Sequence, residues 1–363
     1  PTTCAAAGKN CGTINDGCGG TVDCGGCNSG EICGWAGVPN VCASSPTDPS
    51  TVAPALDPII APTLDISTAF LYSGPNPVQV GMVPNTIVAR RAAVVRGRVL
   101  DRQGNPIPGV TVTILGKPHY GRTATRADGY YDMAVNGGGL LVVDLQHPSY
   151  LPSQRKINVG WQEYGVVDDV VLIGRDPTST AISSLAPTMQ VARGSMSTDS
   201  DGTRRSTLLF PAGTGATMVF ADGSSQALTN FHVRSTEYTV GPEGRAAMPG
   251  DLPKGVAYTY AVELDVDEAV AAGASSVTFS SPVIHYVDNF IGFPVGGPVP
   301  SWSYDRQRAL WRPEPAGRVI EILSITGGMA DLDVDGSSNP ASAATLASLG
   351  VTDAERTQLA QLY

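Results

Sequence analysis

The acidic run near the C-terminal end of the chain is the sequence feature with the clearest chemical meaning. Asp331, Asp333 and Asp335 alternate with apolar residues, and Gly336 follows them. Carboxylates at alternate positions ahead of a glycine are what an oxygen-ligated calcium loop requires. The candidate metal ligands are Asp331, Asp333, Asp335, Ser337 and Asn339.

The candidate calcium loop is incomplete at its end. Its twelfth position is Ser342, where a helix–loop–helix calcium site uses a bidentate glutamate. Two interpretations therefore stay open. The loop binds Ca²⁺ with a carboxylate borrowed from elsewhere, or it is a solvated acidic turn. No other cofactor is expected.

A second candidate site is a cluster of arginine and aromatic residues. Its members are Tyr304, Arg306, Arg308, Trp311 and Arg312. Such residues often anchor protein–protein contacts. They also form arginine-on-tryptophan stacks within one domain. The contact interpretation is favoured, so this cluster is the predicted interface.

All of the cysteines lie in one short segment at the N-terminal end. They are Cys4, Cys11, Cys18, Cys24, Cys27, Cys33 and Cys42. The segment is too poor in large apolar residues to form a core, which predicts disulfide cross-links. Zinc is less favoured, because only Cys24 and Cys27 have a C-x-x-C spacing. Seven is odd, so one cysteine pairs upstream of Pro1 or stays a free or intermolecular thiol.

Motifs of common hydrolases are missing from the sequence. It has no Gly-x-Ser-x-Gly elbow and no His-Glu-x-x-His, and its four histidines are scattered singly. The histidines are His119, His147, His232 and His285. The prediction is a protein without enzymatic activity. A Ser-His-Asp triad assembled from distant positions is the enzymatic alternative.

Charge and hydropathy exclude several classes of partner. The formal net charge is −10, whereas nucleic acids and anionic membranes need a basic face. No stretch approaches the roughly 18 apolar residues of a membrane helix. The chain begins at Pro1, so we expect an upstream leader that has been removed or is not included in this sequence.

The elements that must position these residues are mostly short strands. Residues 94–101 and 110–114 are β-type runs around a Gly/Pro turn, and Asp128-Gly129 joins two further strands. Trp161 and Tyr164 are predicted to fill a sandwich core rather than to form an exposed sugar-binding platform. After the acidic loop, Thr352 and Glu355 predict a capping box for a final helix.

Two stretches carry a family resemblance. "GRVLDRQGNPIPGVTVTI" and "TRADGYYDMAV" resemble the carboxypeptidase-regulatory-like domain, a transthyretin-like antiparallel β-sandwich. "LLFPAGTGATMVFADGSSQALTNFHVRSTEYTVG" and "VDNFIGFPVGGPVPSWSYDRQRALWRPEPAGRVIEILSI" resemble the segment that follows it in bacterial Rhs (YD-repeat) proteins. Those proteins are similar to teneurins, in which a fibronectin-like plug comes before a β-propeller and a YD-repeat barrel.

Composition, local signals and the resemblance together predict a mainly β chain of five parts. They are a disulfide-rich module (1–44), a Pro/Ser/Thr-rich tether (45–91), the β-sandwich (92–174), a plug-like β domain (175–325), and the acidic loop with two short helices (326–363). The implied function is a structural segment of a secreted or surface bacterial protein that plugs a YD-repeat shell, in some cases one carrying a toxin. The alternatives are a calcium-dependent adhesion or carbohydrate-binding module, and a subunit of an oligomeric surface fibre.

Overall fold

The computed structural model describes residues 2–15, 21–28, 30–34, 40–45, 47–55, 57, 59, 61–253 and 255–363. It is mainly β, as predicted, with short helices at the C-terminal end. The chain divides into two compact units. The first unit comprises residues 1–174, 242–257 and 304–310, and the second comprises 175–241, 258–303 and 311–363. Two segments of the predicted plug domain thus belong to the unit that contains the sandwich.

Disulfides hold the N-terminal module together, as predicted. The bonds join Cys4 to Cys24, Cys11 to Cys33 and Cys27 to Cys42. Two small antiparallel hairpins lie between them, β1 (Thr13–Asn15) with β2 (Thr21–Asp23) and β3 (Glu31–Cys33) with β4 (Cys42–Ser44). The seventh cysteine, Cys18, lies outside the described residues.

The predicted tether is only partly a tether. It contains α1 (Pro49–Val52), α2 (Leu64–Thr68) and 3-10 turns at Ala69–Leu71 and Ala89–Arg91. Leu71 and Val78 are buried against Val94 and Ala134 of the sandwich. The Gln79 amide is also buried, and it accepts from Ala134 N at 2.7 Å. Residues 64–82 therefore form a strap across the sandwich, because their apolar and amide groups find partners there.

The sandwich consists of eight strands. They are β5 (Ala92–Leu100), β6 (Thr111–Ile114), β7 (Thr123–Ala124), β8 (Tyr130–Asn136), β9 (Gly139–Gln146), β10 (Ser153–Val159), β11 (Tyr164–Val166) and β12 (Val170–Val171). One sheet has the order β10–β9–β6–β7. In the other, β5 pairs with β8 on one side and with β11 and β12 on the opposite side.

The pairing of β5 departs from the purely antiparallel sandwich that the resemblance implied. β11 and β12 run parallel to β5, whereas β8 runs antiparallel to it. Alternate residues of β5 point inwards, so Val95 and Val99 join Met133, Val143 and Leu145 in one apolar core. Inward alternation of this kind fixes the strand register, because a slip by one residue would expose the whole apolar set.

The second unit holds most of the remaining strands, which are generally short. They are β13 (Thr180–Ser183), β14 (Gln190–Arg193), β15 (Ser197–Asp199), β16 (Gly202–Arg204), β17 (Ser206–Phe210), β18 (Ala216–Val219), β19 (Ser225–Leu228), β20 (Asn230–Glu237), β21 (Val262–Val266), β22 (Ser276–Phe279), β23 (Ile284–Val287), β24 (Pro298–Asp305), β25 (Leu310–Arg318), β26 (Glu321–Thr326) and β27 (Met329–Asp333). Three sheets have the orders β13–β20–β21, β14–β17–β23 and β19–β18–β22. Phe210, Phe231 and Phe279 pack ring against ring in their shared core.

The remaining helices are α3 (Gly244–Ala247), α4 (Asp267–Ala272), α5 (Ala343–Ser348) and α6 (Asp353–Leu362). The predicted capping box of α6 is present, with Thr352 and Glu355 bonded reciprocally. Leu346 of α5 and Leu359 of α6 pack on Leu332 of β27. The acidic run, which begins within β27, is therefore held on an ordered base.

Candidate functional site

Asp333 organises the acidic loop through its own backbone. Its Oδ1 accepts from the N–H groups of Asp335 and Gly336 at 2.9 and 2.8 Å, and its Oδ2 accepts from Ser338 N at 2.7 Å. These bonds hold the pKa of the Asp333 carboxyl below its usual range. Both oxygens are thus used in forming the turn.

The other carboxylates of the loop turn to different partners. Asp331 accepts from the hydroxyls of Ser324 and Thr326 at 2.8 and 2.6 Å, and its Oδ1 lies 3.2 Å from an Arg356 nitrogen. The hydroxyls are the larger cause of the lowered pKa of Asp331. Asp335 accepts from Ser337 N at 3.0 Å.

The calcium hypothesis can be tested against this donor set. Asn339 donates to Ser337 O at 2.9 Å, so the fourth and fifth predicted ligands also bond to each other. An oxygen cage needs six to eight oxygens directed at one point. Among the described residues, the three-membered cluster of close ligand atoms consists of the sulfurs of Cys11, Cys27 and Cys42, which are already in disulfides. In this arrangement the oxygens of Asp331 and Asp333 are engaged in bonds within the protein, and calcium binding remains a prediction.

The first two residues of the predicted interface cluster lie on the sandwich. Tyr304 donates its hydroxyl to Gln154 Oε1 at 2.9 Å, and Arg306 donates to Pro152 O at 3.0 Å. Gln154 in return donates to Arg306 O at 3.0 Å. Burial raises the pKa of Tyr304 to about 12, so its hydroxyl stays protonated as a donor.

The same strand, β10, receives a second segment from later in the chain. Gln154 N donates to Pro249 O at 2.9 Å, and Lys156 N donates to Asp251 Oδ2 at 2.6 Å. Beside them the buried Arg155 donates to Met248 O at 3.0 Å and to Ala246 O at 2.5 Å. We call residues 242–257 and 304–310 the clasp. It covers the edge of β10, where open N–H groups would otherwise invite another strand.

Of the remaining members of the cluster, Arg308 lies within the clasp and the other two lie outside it. Arg308 is an exposed side chain paired with Asp305 at 3.0 Å. Trp311 and Arg312 lie on β25 and belong to the second unit. Whether any of the five binds another protein stays a prediction.

Two aromatic residues lie where the sequence interpretation did not put them. Trp161 and Tyr164 were predicted in the sandwich core, but they are 52% and 51% exposed. Gly165, the middle residue of β11, faces the interior. A Cβ atom added to it would lie 3.0 Å from the Val159 side chain. The interior is already filled at this point, so the large side chains face solvent.

The histidines do not assemble a catalytic site in the described part of the chain. His285 Nε2 lies 2.9 Å from Ser206 Oγ, but Ser206 is 2% exposed, so its hydroxyl is not presented to a substrate. His232 lies on β20, in a different sheet from Ser206 and His285, and its Nδ1 is 2.7 Å from Glu268 of α4. A shallow groove of about 440 Å³ on the first unit has Lys117 and no histidine in its lining.

Comparisons with known proteins show what the sandwich region is similar to. Residues 87–172 match the family model of the teneurin TTR-like domain. The chain is 35% identical to human teneurin-1 over 98 residues, which cover 26% of this chain and 4% of teneurin-1. It is 35% identical to Drosophila melanogaster teneurin-m over 97 residues, 26% of this chain and 3% of that protein. The chain thus spans only a few per cent of the length of these relatives.

A solved structure of a streptococcal ancillary pilin is similar to 39% of this chain and to 60% of its own, with 11% identity and a TM-score of 0.20. That likeness is too weak to support an argument. None of the helices in the described residues has the length and apolar character needed to cross a membrane. Residues 87–172 are therefore similar to a teneurin TTR-like domain, which agrees with the transthyretin-like sandwich implied by the sequence.

Proposed function

We propose that this chain is a non-enzymatic structural segment of a large secreted or surface-exposed protein of the Rhs/teneurin type. The observation that carries the proposal is the match of residues 87–172 to the teneurin TTR-like domain. That domain lies between a disulfide-stapled module and a second β unit, the order that the sequence resemblance implied. The order of the modules along the chain supports the proposal more than any one module does, because small β modules occur in many proteins.

The proposal includes a location outside the cell. Three disulfides within the first 42 residues suit an oxidising environment outside the cell. The module has little apolar surface to bury, so its folded state depends on those bonds. In a reducing cytosol it would lose its main source of order.

The finer part of the proposal is that the second unit plugs the end of a YD-repeat shell, in some members a shell that holds a toxin. Support comes from apolar side chains along one stretch of that unit. Ile291, Phe293 and Trp302 are 44%, 43% and 44% exposed. Apolar surface of this kind is suited to cover by a neighbouring domain.

The test is the size and composition of the native protein. An antiserum raised against this chain should detect, in the source cells or medium, a species much larger than 37.5 kDa. Tryptic peptides from that species should include YD repeats, and cross-links from the second unit should reach them. A native species of the chain's own mass, without YD-repeat peptides, would refute the proposal.

A further inference from the structure

Two disulfides of the N-terminal module lie side by side. The Sγ atoms of Cys11, Cys27 and Cys42 are within 4.8 Å of one another. Cys27 and Cys42 form one bond, and Cys11 forms the other with Cys33. A thiolate released from the Cys27–Cys42 bond would therefore lie next to a sulfur of the second bond.

Cys33 and Cys42 are also direct cross-strand neighbours. They lie opposite each other in the register of β3 and β4. Gly34 N donates to Val41 O at 2.8 Å, which puts the two cysteines at a non-hydrogen-bonded position of the ladder. Opposite Cα atoms at such a position are about 4.5 Å apart, within the range that a disulfide spans. The hairpin backbone therefore holds Cys33 and Cys42 at a bonding separation, although each is bonded to a different partner.

The four sulfurs can pair in a second way, Cys11 with Cys27 and Cys33 with Cys42. The second pairing closes loops with sequence separations of 16 and 9, against 22 and 15 in the native pairing. Loop-closure entropy therefore does not oppose it. Both pairings contain two bonds, so their interconversion needs no net oxidant or reductant, only a thiol to start the exchange.

The two pairings differ in what they tie together. We call residues 1–28 the N-terminal arm. In the native pairing, both bonds join the arm to the β3–β4 hairpin. In the second pairing, one bond lies within the arm and the other within the hairpin, so the main chain is the one covalent link left between them. Ile32 of the hairpin lies against the sandwich, because a Cβ added to Gly109 would be 3.1 Å from its side chain. The exchange would therefore free the arm and leave the hairpin on the sandwich.

Hydrogen bonds also link the N-terminal arm to the hairpin segment. Cys42 N donates to Asn10 Oδ1 at 2.7 Å, and Asn40 Nδ2 donates to Cys11 O at 3.0 Å. The first of these bonds is exposed and the second is partly buried. Water can replace the partner of an exposed group, so such bonds contribute little net stability. The disulfide pairing therefore decides whether the arm stays in place.

We propose that the N-terminal module is a disulfide-exchange switch, which a small thiol converts from the native pairing to the second pairing. The thiolate attacks the half-buried Cys27 sulfur, forms a mixed disulfide and releases the Cys42 thiolate. Cys42 attacks Cys33, and the Cys33–Cys42 bond forms as the Cys11 thiolate leaves. Cys11 attacks Cys27, and the Cys11–Cys27 bond forms as the small thiol leaves. Each step exchanges one sulfur–sulfur bond for another, so the thiol is a catalyst.

The order of these steps follows from exposure. Cys11 is 0% exposed in the native pairing, so a thiol from solvent reaches Cys27 before it reaches Cys11. The switch goes beyond the structural role in a larger protein and does not depend on it.

The experiment is disulfide mapping of the full chain after incubation with an equimolar amount of reduced glutathione. All proteins carry Cys18→Ser, which removes the seventh cysteine. Free thiols are blocked with iodoacetamide, and the chain is unfolded in urea and digested with glutamyl endopeptidase. Glu31 is the first glutamate of the chain and Glu163 is the second, so the digest separates residues 1–31 from 32–163. The native bonds hold these two peptides together, whereas the second pairing lets them separate.

Two variants complete the test. Cys27→Ser/Cys42→Ser is the matched control, because its Cys11–Cys33 bond has no neighbouring bond with which to exchange. Cys11→Ser/Cys27→Ser leaves Cys33 and Cys42 as the cross-strand pair. Circular dichroism melting shows whether each variant is folded.

We expect glutathione to release peptide 1–31 with a Cys11–Cys27 bond, and peptide 32–163 with a Cys33–Cys42 bond. The control should keep the two peptides linked at the same glutathione concentration. Cys11→Ser/Cys27→Ser should form the Cys33–Cys42 bond on air oxidation. Retention of both native bonds, release with all four cysteines blocked, equal release from the control, or free thiols in the oxidised and folded second variant would each overturn the proposal.

Discussion

Replacing Arg155 by methionine tests whether the clasp is part of the stable fold of the first unit. The Arg155 side chain is 9% exposed and donates four hydrogen bonds, two of them to the clasp carbonyls of Ala246 and Met248. Methionine has a similar length and fills the space, but it donates nothing. The substitution therefore removes the polar contacts and keeps most of the packing.

The cost follows from those contacts. Ser153 still donates to Met248 O at 3.0 Å, so Ala246 O is the acceptor that loses this donor. A hydrogen bond from a charged group contributes about 1.5–3 kcal/mol, and a buried acceptor left unpaired costs about 1–3 kcal/mol. Removal of the buried charge offsets part of this loss. We expect Arg155→Met to lower the free energy of unfolding by about 3 kcal/mol.

Urea unfolding measures the global effect, and limited trypsin digestion measures the local one. Arg245 lies in α3 within the clasp, so its peptide bond is cleaved only when the clasp opens. We expect cleavage at Arg245 to be faster in Arg155→Met. The control is Lys156→Met, an exposed neighbour that should change stability by less than about 0.5 kcal/mol. Unchanged unfolding and unchanged cleavage in Arg155→Met would refute the structural role of the clasp.

Four further predictions concern the second unit, the acidic loop and the state of association. Arg204→Met should cost about 4 kcal/mol in urea unfolding, because it leaves Asp199 and Glu237 without their buried partner. The Arg204 hydrogen bonds hold the pKa of Asp199 far below its ordinary value. Their contribution to the free energy of unfolding is therefore complete above pH about 4 and is lost at lower pH. An Asp199→Asn variant should lack this acid dependence of the melting temperature. If the acidic loop binds calcium, Arg356→Gln should raise the affinity for calcium, because it releases Asp331 from its ion pair. If a calorimetric titration with calcium gives no binding heat for the unmodified chain or for the variant, the calcium hypothesis is rejected. Size-exclusion chromatography should give a monomer with and without reductant, and a reductant-sensitive dimer would assign the odd cysteine to an intermolecular bond.

Local signals in the sequence were enough to predict several elements. The capping pair Thr352 and Glu355 predicted the start of α6. The cysteine spacing likewise predicted a disulfide module, and three bonds are present. In each case the deciding interactions join residues that are near in sequence.

Interactions between distant residues could not be predicted in the same way. Gln79 lies in a stretch with the composition of a linker, yet its amide bonds to Tyr120 O and Ala134 O inside the sandwich. The Pro249 carbonyl reaches β10 from 95 residues further along the chain. Composition reports whether a segment is able to pack, but not on what.

The wrong placement of Trp161 and Tyr164 has a more specific cause. β11 has three residues, and a strand this short gives too little alternation to tell which face is inside. The side chains of Ile157 and Val159 fill the interior next to Gly165, and that leaves Tyr164 on the solvent side. In the acidic loop, the motif itself was clear, but Arg356 lies 25 residues beyond Asp331, and its approach depends on α6 packing on β27.

Both outer strands of one sandwich sheet are covered by this chain's own segments. On β10, the N–H groups of Gln154 and Lys156 donate to Pro249 and Asp251 of the clasp. At the opposite edge, the strap continues the sheet through paired hydrogen bonds of 2.9 Å between Val80 and Arg122, next to β7. An uncovered edge is a template for pairing with another chain. A sheet closed at both ends cannot add a strand from a second copy without first releasing the clasp or the strap. For this sheet, the fibre-subunit alternative therefore requires a loss of native contacts, whereas a stiff structural segment requires none.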